Sequence, residues 1–183
     1  GFLKRFPDVP RHAEAATLLT DPTIDRILIG AMPRDRAALA IAAMEQGKDV
    51  MVDKPGCTTL AQLEDIKATV ARTGRIWSVN FSERFQVPAV TRAAELVQSG
   101  AIGRVVQTVG LGPHRLNRAT RPDWFFDRDA YGGILTDIAS HQIDQFLYVT
   151  GATAAEITMA NVANHANPQD PGLQDFGELA LRS

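Results

Sequence analysis

Apolar positions in the first half of the chain come in short runs separated by longer amphipathic stretches. Arg11 to Leu19 has a helical pattern that stops at Thr20-Asp21-Pro22. Ile24 to Ile29 reads as a strand, with Ile27-Leu28-Ile29 apolar on both faces, as in a buried parallel strand. A helix is predicted from Arg34 to Gln46, closed by Gly47 where a left-handed cap belongs. Val50-Met51-Val52 is the next strand. Thr58 or Thr59 caps a helix running to Thr73, with Gly74 beyond it. Ile76 to Phe81 gives a third strand, and a helix from Pro88 to Ser99 stops at Gly100. Strands alternating with helices of this length imply βαβ crossovers and a parallel sheet. The strand-to-helix junctions Ala31-Met32-Pro33-Arg34 and Asp53-Lys54-Pro55 then lie at the carboxyl edge of the sheet, where open α/β folds bind ligands.

After Gly100 the pattern changes. Val105 to Leu111, Ala155 to Val162 and Glu178 to Arg182 read as strands, around one long helical stretch beginning at Gly132. The expected fold class is therefore α/β: a parallel sheet, then an α+β region of one helix and several strands. The boundary is expected near residue 85, giving units of 1–85 and 86–183.

The long helical stretch is the strongest chemical signal. At about 100° per residue, Asp137, His141, Asp144 and Tyr148 form one narrow row. Ile134, Leu135, Ile138, Ile143, Phe146 and Leu147 fill much of the rest. That proportion predicts a helix buried nearly all round with a thin ionisable seam. Buried carboxylates need partners, and Asp and His one turn apart can pair with each other or pass a proton to a ligand. A self-satisfied Asp–His pair that only pins the helix is the plainer alternative.

Composition narrows the classes. The 183 residues are 45% hydrophobic, enough for one good core or two small ones, and the formal charge is −2. That balance gives no footprint for nucleic acid and no basic helix for a membrane surface. No apolar run approaches the roughly 20 residues needed to span a bilayer. A single cysteine, Cys57, rules out an internal disulfide and points to a cytoplasmic setting. Without a CxxC partner or a neighbouring His, Cys57 is not read as a catalytic thiol.

Three motifs now stand in order: Gly47-Lys-Asp-Val-Met-Val-Asp53-Lys54-Pro55, Gly100-Ala-Ile-Gly103-Arg-Val, and Gly132-Gly-Ile-Leu-Thr-Asp137-Ile-Ala-Ser-His141-Gln-Ile-Asp144. Together they resemble the Gfo/Idh/MocA family, the glucose-fructose oxidoreductase and inositol dehydrogenase relatives, from about Asp21 onward. The first is similar to the family's G-K-x-V-x-x-E-K-P, with Asp53 in place of the glutamate. The resemblance implies a nicotinamide cofactor, NAD or NADP, and a sugar or inositol-like polyol as substrate. It implies Lys54 between cofactor and substrate, His141 as general acid/base and Asp137 as the substrate carboxylate. Hydride removal requires loss of the hydroxyl proton, which suits an imidazole, and an ammonium stabilises developing alkoxide.

By the same resemblance Ala31, Met32, Pro33 and Arg34 occupy the cofactor-packing segment that usually reads T-P-N or T-P-P. Trp124 is similar to a tryptophan near the cofactor, although Phe125 stands where an arginine often follows. Arg84 is a candidate for substrate or cofactor, against a surface ion pair. His114 is a candidate for the polyol pocket, against a solvated loop. No metal is expected.

No GxGxxG turn occurs in the sequence, and the glycines are scattered. The chain, which opens on Gly1 without a Met, therefore resembles the middle of a family member, without the N-terminal GxGxxG unit and the end of the C-terminal domain; the resemblance implies the C-terminal part of a Rossmann-type parallel sheet followed by an α+β domain with a mostly antiparallel sheet. An uncovered sheet edge in such a piece favours pairing with another copy, so a homo-oligomer is expected. Two other functions compete: a non-catalytic truncated binding or assembly module, and a metal-dependent hydrolase or lyase built on Asp137, His141 and Asp144.

Overall fold

The computed structural model describes residues 2–183, and side chains from Lys4 onward; Gly1 lies outside the described residues. Two short helices, α1 (Phe2–Arg5) and α2 (Ala15–Thr20), precede the sheet. Helix α2 begins later than the Arg11 expected from the pattern. Asp21 turns the chain after it, its Oδ1 accepting from both the Thr23 amide (2.8 Å) and the Thr23 hydroxyl (2.6 Å).

Strands β1 (Arg26–Ile29), β2 (Asp49–Asp53) and β3 (Trp77–Asn80) form a parallel sheet in that order. The register sets Ile27 beside Val50 and Ile29 beside Val52, and Val52 in turn beside Val79. Helix α3 (Arg36–Glu45) crosses from β1 to β2, and helix α4 (Leu60–Thr73) crosses from β2 to β3. The Thr59 hydroxyl accepts from the Gln62 amide at 3.2 Å, and Gly74 ends α4 in the left-handed region at φ 68°, as the capping signals required.

The core of this half is Ile27, Ile29, Val50 and Val52 against Ala37, Ala40, Ala43, Met44 and Ile66. The alanines let α3 lie close to the strands. The expectation that β1 is buried on both faces is not met. Strand side chains alternate across the pleat, and only one face meets α3 and α4, so Leu28 between Ile27 and Ile29 is 79% exposed. Among the described residues, no element covers the opposite face of β1.

Helix α5 (Ser82–Gln86) follows β3 directly, and α6 (Pro88–Gln98) packs against a later helix, α8 (Ser140–Thr150). The predicted strand at 105–111 does not form. A strand exists only with a ladder partner, and the two strands beyond it, β4 (Glu156–Ala163) and β5 (Phe176–Arg182), pair antiparallel with each other. Val106, Val109 and Leu111 are consequently exposed. The segment instead runs across Gln142 and Ile138, so closely that a β-carbon on Gly112 would lie 2.9 Å from the Ile138 side chain.

Between these parts lie α7 (Arg128–Tyr131), a turn at Gly132 and Gly133, and one π-helical turn over Leu135–Ala139 that leads into α8. The predicted helix thus begins after the two glycines, whose φ values of 90° and 87° lie in the left-handed region. Its near-complete burial is also not observed. His141 is the only fully buried residue of α8, and its apolar residues are half-covered. The reason is that α8 packs on α5 and α6, while the 105–112 segment runs over only part of its remaining face, at Gln142. No helix of the described residues is long and apolar enough to cross a membrane.

Candidate active site

Lys54 leaves the end of β2 at the sheet's carboxyl edge, and the Lys54–Pro55 peptide bond is cis. Its ammonium donates to the Asp137 carboxylate Oδ1 and to the Asp137 backbone carbonyl, both at 2.7 Å. Both side chains are mostly covered, at 20% and 15% exposure, so this pair is screened less than a surface ion pair. Asp137 lies within the π turn, which begins where the Asp137 amide donates to the Gly133 carbonyl at 2.8 Å. The glycine turn is braced by Gln174, whose Oε1 accepts from the Ile134 amide at 3.0 Å while its own amide donates to the Tyr131 hydroxyl.

The Lys54 loop is held by a residue absent from the sequence-based candidates. Arg36 is buried and its guanidinium reaches three carbonyls: Nε donates to Ala31 at 2.7 Å, and Nη1 to Asp53 and Pro55 at 2.9 Å. Its Nη2 lies 3.8 Å from the Asp53 carboxylate. One side chain thereby joins both strand-end junctions. The available signal was a charged residue on the apolar stripe of Ala40, Ala43 and Met44.

His141 lies in the first turn of α8 and is 3% exposed. Loss of water around the charged ring is the largest effect on its basicity, and it lowers the pKa below the ordinary imidazole value. Glu83 opposes that shift, Lys54 and His114 add to it, and Asp137 opposes it. The ring is therefore neutral near pH 7 and able to accept a proton. Its Nδ1 is buried with no hydrogen-bond partner among the described residues, and its Nε2 lies 4.0 Å from Glu83 Oε1. The Phe81 ring meets it edge-on, 6.1 Å between centroids.

A cleft of about 240 Å³ opens beside Lys54 and Asp137, lined also by Pro33, Asp53, His114 and Trp124. His141 is not among its lining residues. Ala31 and Met32 contribute backbone carbonyls to local bonds, to Arg36 and to the Asp35 amide. Arg34 is half exposed and lies 3.5 Å from Asp127. Trp124 sits edge-on to Phe125 at 6.1 Å. Arg84 is spent elsewhere: its fork grips the Asp144 carboxylate at 2.6 and 2.9 Å, and its guanidinium stacks on Phe85 and Tyr148. Asp137 and Asp144, two of the ligands of the alternative metal site, each face a cation instead, and the described residues contain no group of three or more ligand side chains able to hold a metal.

A parallel sheet with its crossover helices on one face, followed by an antiparallel ribbon, agrees with the sequence comparisons. Residues 3–81 match the Gfo/Idh/MocA oxidoreductase family model with its NAD-binding Rossmann fold, and residues 90–183 match the Gfo/Idh/MocA C-terminal domain. The chain belongs to the Gfo/Idh/MocA family. It is 29% identical over 163 residues to the NAD(+)-dependent scyllo-inositol 2-dehydrogenase of Bacillus subtilis, covering 88% of this chain and 44% of that protein. It is 31% identical over 155 residues to levoglucosan dehydrogenase of Pseudarthrobacter phenanthrenivorans, covering 83% of this chain and 40% of that one. A crystal structure from Erwinia carotovora atroseptica superimposes with a TM-score of 0.95 at 49% identity, covering 98% of this chain and 54% of the other. The chain thus spans less than half the length of these two curated relatives.

Proposed function

We propose that the protein is the catalytic middle portion of an NAD(P)-dependent dehydrogenase acting on a sugar or inositol-like polyol. The observation that carries this reading is the Lys54 ammonium lying 2.7 Å from the Asp137 carboxylate at the rim of a parallel sheet. A hydroxyl entering between them meets a donor and an acceptor at once, which suits a polyol better than an apolar or anionic substrate. The nicotinamide group, when bound, supplies the hydride acceptor. Pro33, Asp53 and Trp124 line the cleft and would hold it, with Ala31, Met32 and Arg34 in the adjoining segment, and the aromatic wall of Trp124 and Phe125 suits a flat ring.

Lys54 binds the reacting oxygen and stabilises negative charge as the proton leaves. Asp137 orients Lys54 and takes a neighbouring substrate hydroxyl. For His141, neutral by burial but outside the cleft lining, to receive the proton, the wall between ring and substrate must open. Arg84 is left out of this assignment because Asp144 already fills its fork. His114 lines the cleft and lies on its solvent side. The relatives support the substrate class: inositol and levoglucosan are both carbocyclic or sugar-like polyols.

Turnover of the polyol panel, followed as NADH or NADPH absorbance in the longest available form of the protein, tests the reading. Lys54→Met is expected to lower kcat by about 10²-fold or more while leaving unfolding cooperative. Wild-type turnover by that variant would overturn it. We further propose that the β4–β5 ribbon mediates self-association, because Ile157, Met159, Val162 and Phe176 are exposed on it. Sedimentation showing only monomer at micromolar concentration would contradict that.

A further inference from the structure

Glu83 occupies a position that no sequence motif marks. Its Oε1 lies 4.0 Å from His141 Nε2 and 3.9 Å from His114 Nε2, so one carboxylate oxygen faces two imidazoles from different parts of the chain. Its other oxygen, Oε2, accepts from the Gln145 side-chain amide at 3.0 Å, which fixes the carboxylate on α8 and leaves Oε1 for the rings.

The state of His114 follows from its second contact. His114 Nδ1 lies 3.0 Å from the Gly112 carbonyl, and a carbonyl only accepts. Nδ1 therefore carries the hydrogen, and in the neutral ring Nε2 is a bare acceptor turned toward Glu83. The two rings differ in access: His141 is fully buried, whereas the His114 side chain is 43% exposed.

We infer that Glu83 and His114 form a proton route between the buried His141 and solvent. The inference rests on the dehydrogenase reading for its purpose, but not for its geometry. A proton arriving at the unpartnered Nδ1 of His141 makes an imidazolium. Its Nε2–H is then released to Glu83 Oε1, which passes it to His114 Nε2, and the exposed ring gives it to water. Each transfer breaks one N–H or O–H bond and forms one other, and the ring of His141 returns neutral. The separations near 4 Å close to hydrogen-bond reach with about 1 Å of side-chain movement, which an α5 helix of only five residues permits. The other charged groups acting on His141 are Lys54 from the β2 loop and Asp137 from the π turn; these two pair with each other, so neither offers a path outward. Arg84, beside Glu83 in sequence, is held by Asp144.

The test needs neither cofactor nor substrate. In ¹⁵N-histidine-labelled full chain, the solvent exchange rate of the His141 ring proton and the titration of His141 are measured by NMR. Glu83→Gln is expected to slow His141 exchange about tenfold or more and to move its titration to lower pH. His114→Phe is expected to slow the exchange while leaving Glu83 and Gln145 in contact. Unchanged exchange in both variants overturns the route, including the case where Glu83→Gln shifts the His141 titration alone, since Glu83 is then only an electrostatic neighbour. Absent turnover with exchange behaving as expected would count against the dehydrogenase reading and not against the route.

Discussion

Replacing Arg36 with leucine tests how the Lys54 loop is held. The substitution removes the donors to the Ala31, Asp53 and Pro55 carbonyls at 2.7, 2.9 and 2.9 Å and leaves a half-length apolar chain beside them. Hydrogen bonds from a charged donor contribute about 1.5–3 kcal/mol each. The bond to Pro55 is buried, while those to Ala31 and Asp53 are partly covered, so water recovers a share of the loss at two of the three. Discounting those two to about 0.5–1 kcal/mol each gives a total near 4 kcal/mol. For a chain of this size that is a fall of about 8–16 °C in Tm. Urea unfolding followed by tryptophan fluorescence reads it, with Trp77 packed against the sheet core. Arg36→Lys, whose single ammonium cannot span three carbonyls, is expected to lose about half as much. Arg34→Leu, on the exposed side of the same turn, is expected to stay within about 0.5 kcal/mol. A leucine variant within about 0.5 kcal/mol of wild type would refute the tether.

Three further outcomes follow from the same geometry. Because burial depresses the His141 pKa, the unfolded chain binds its proton more readily; the contribution is intact above the unfolded imidazole pKa of about 6.5 and is lost as pH falls through the lower folded value. The urea midpoint of wild type should therefore drop more steeply than that of His141→Gln between pH 8 and 5, and equal slopes would count against a desolvated ring. Gly133→Ala, at φ 87° with its new carbon 2.5 Å from both the Arg128 Nε and the Gln174 Oε1, should cost about 2–4 kcal/mol, whereas Gly151→Ala, at φ 71° in open space, should cost about 1. Equal losses in a chemical denaturation series would show that the Gly133 turn is not crowded. Thr59→Ala should cost about 1 kcal/mol through loss of the Gln62 cap, and a loss below about 0.3 kcal/mol would discount that bond.

What the sequence determined by itself was local. The alternation of apolar runs and helical stripes specified β1–α3–β2–α4–β3, and Gly47, Thr59 and Gly74 marked helix ends because each supplies a backbone conformation or a cap that its neighbours cannot. The Asp53-Lys54-Pro55 junction and the Asp137–His141 stretch were also visible, since both are contiguous and chemically unusual. What only the tertiary structure decided were the relations between distant segments. Val105–Leu111 has the composition of a strand but finds no ladder partner among the described residues, and composition cannot reveal whether a partner exists. Asp144 turned from a seam residue into the counter-charge of Arg84, sixty positions away. Glu83 carries no periodic signal, and its place between two imidazoles depends on three elements meeting. Arg36 was readable as a charge on an apolar stripe, but its three carbonyl partners belong to two loops that the sheet brings together. Periodicity records which face a residue presents; it does not record what will be waiting there.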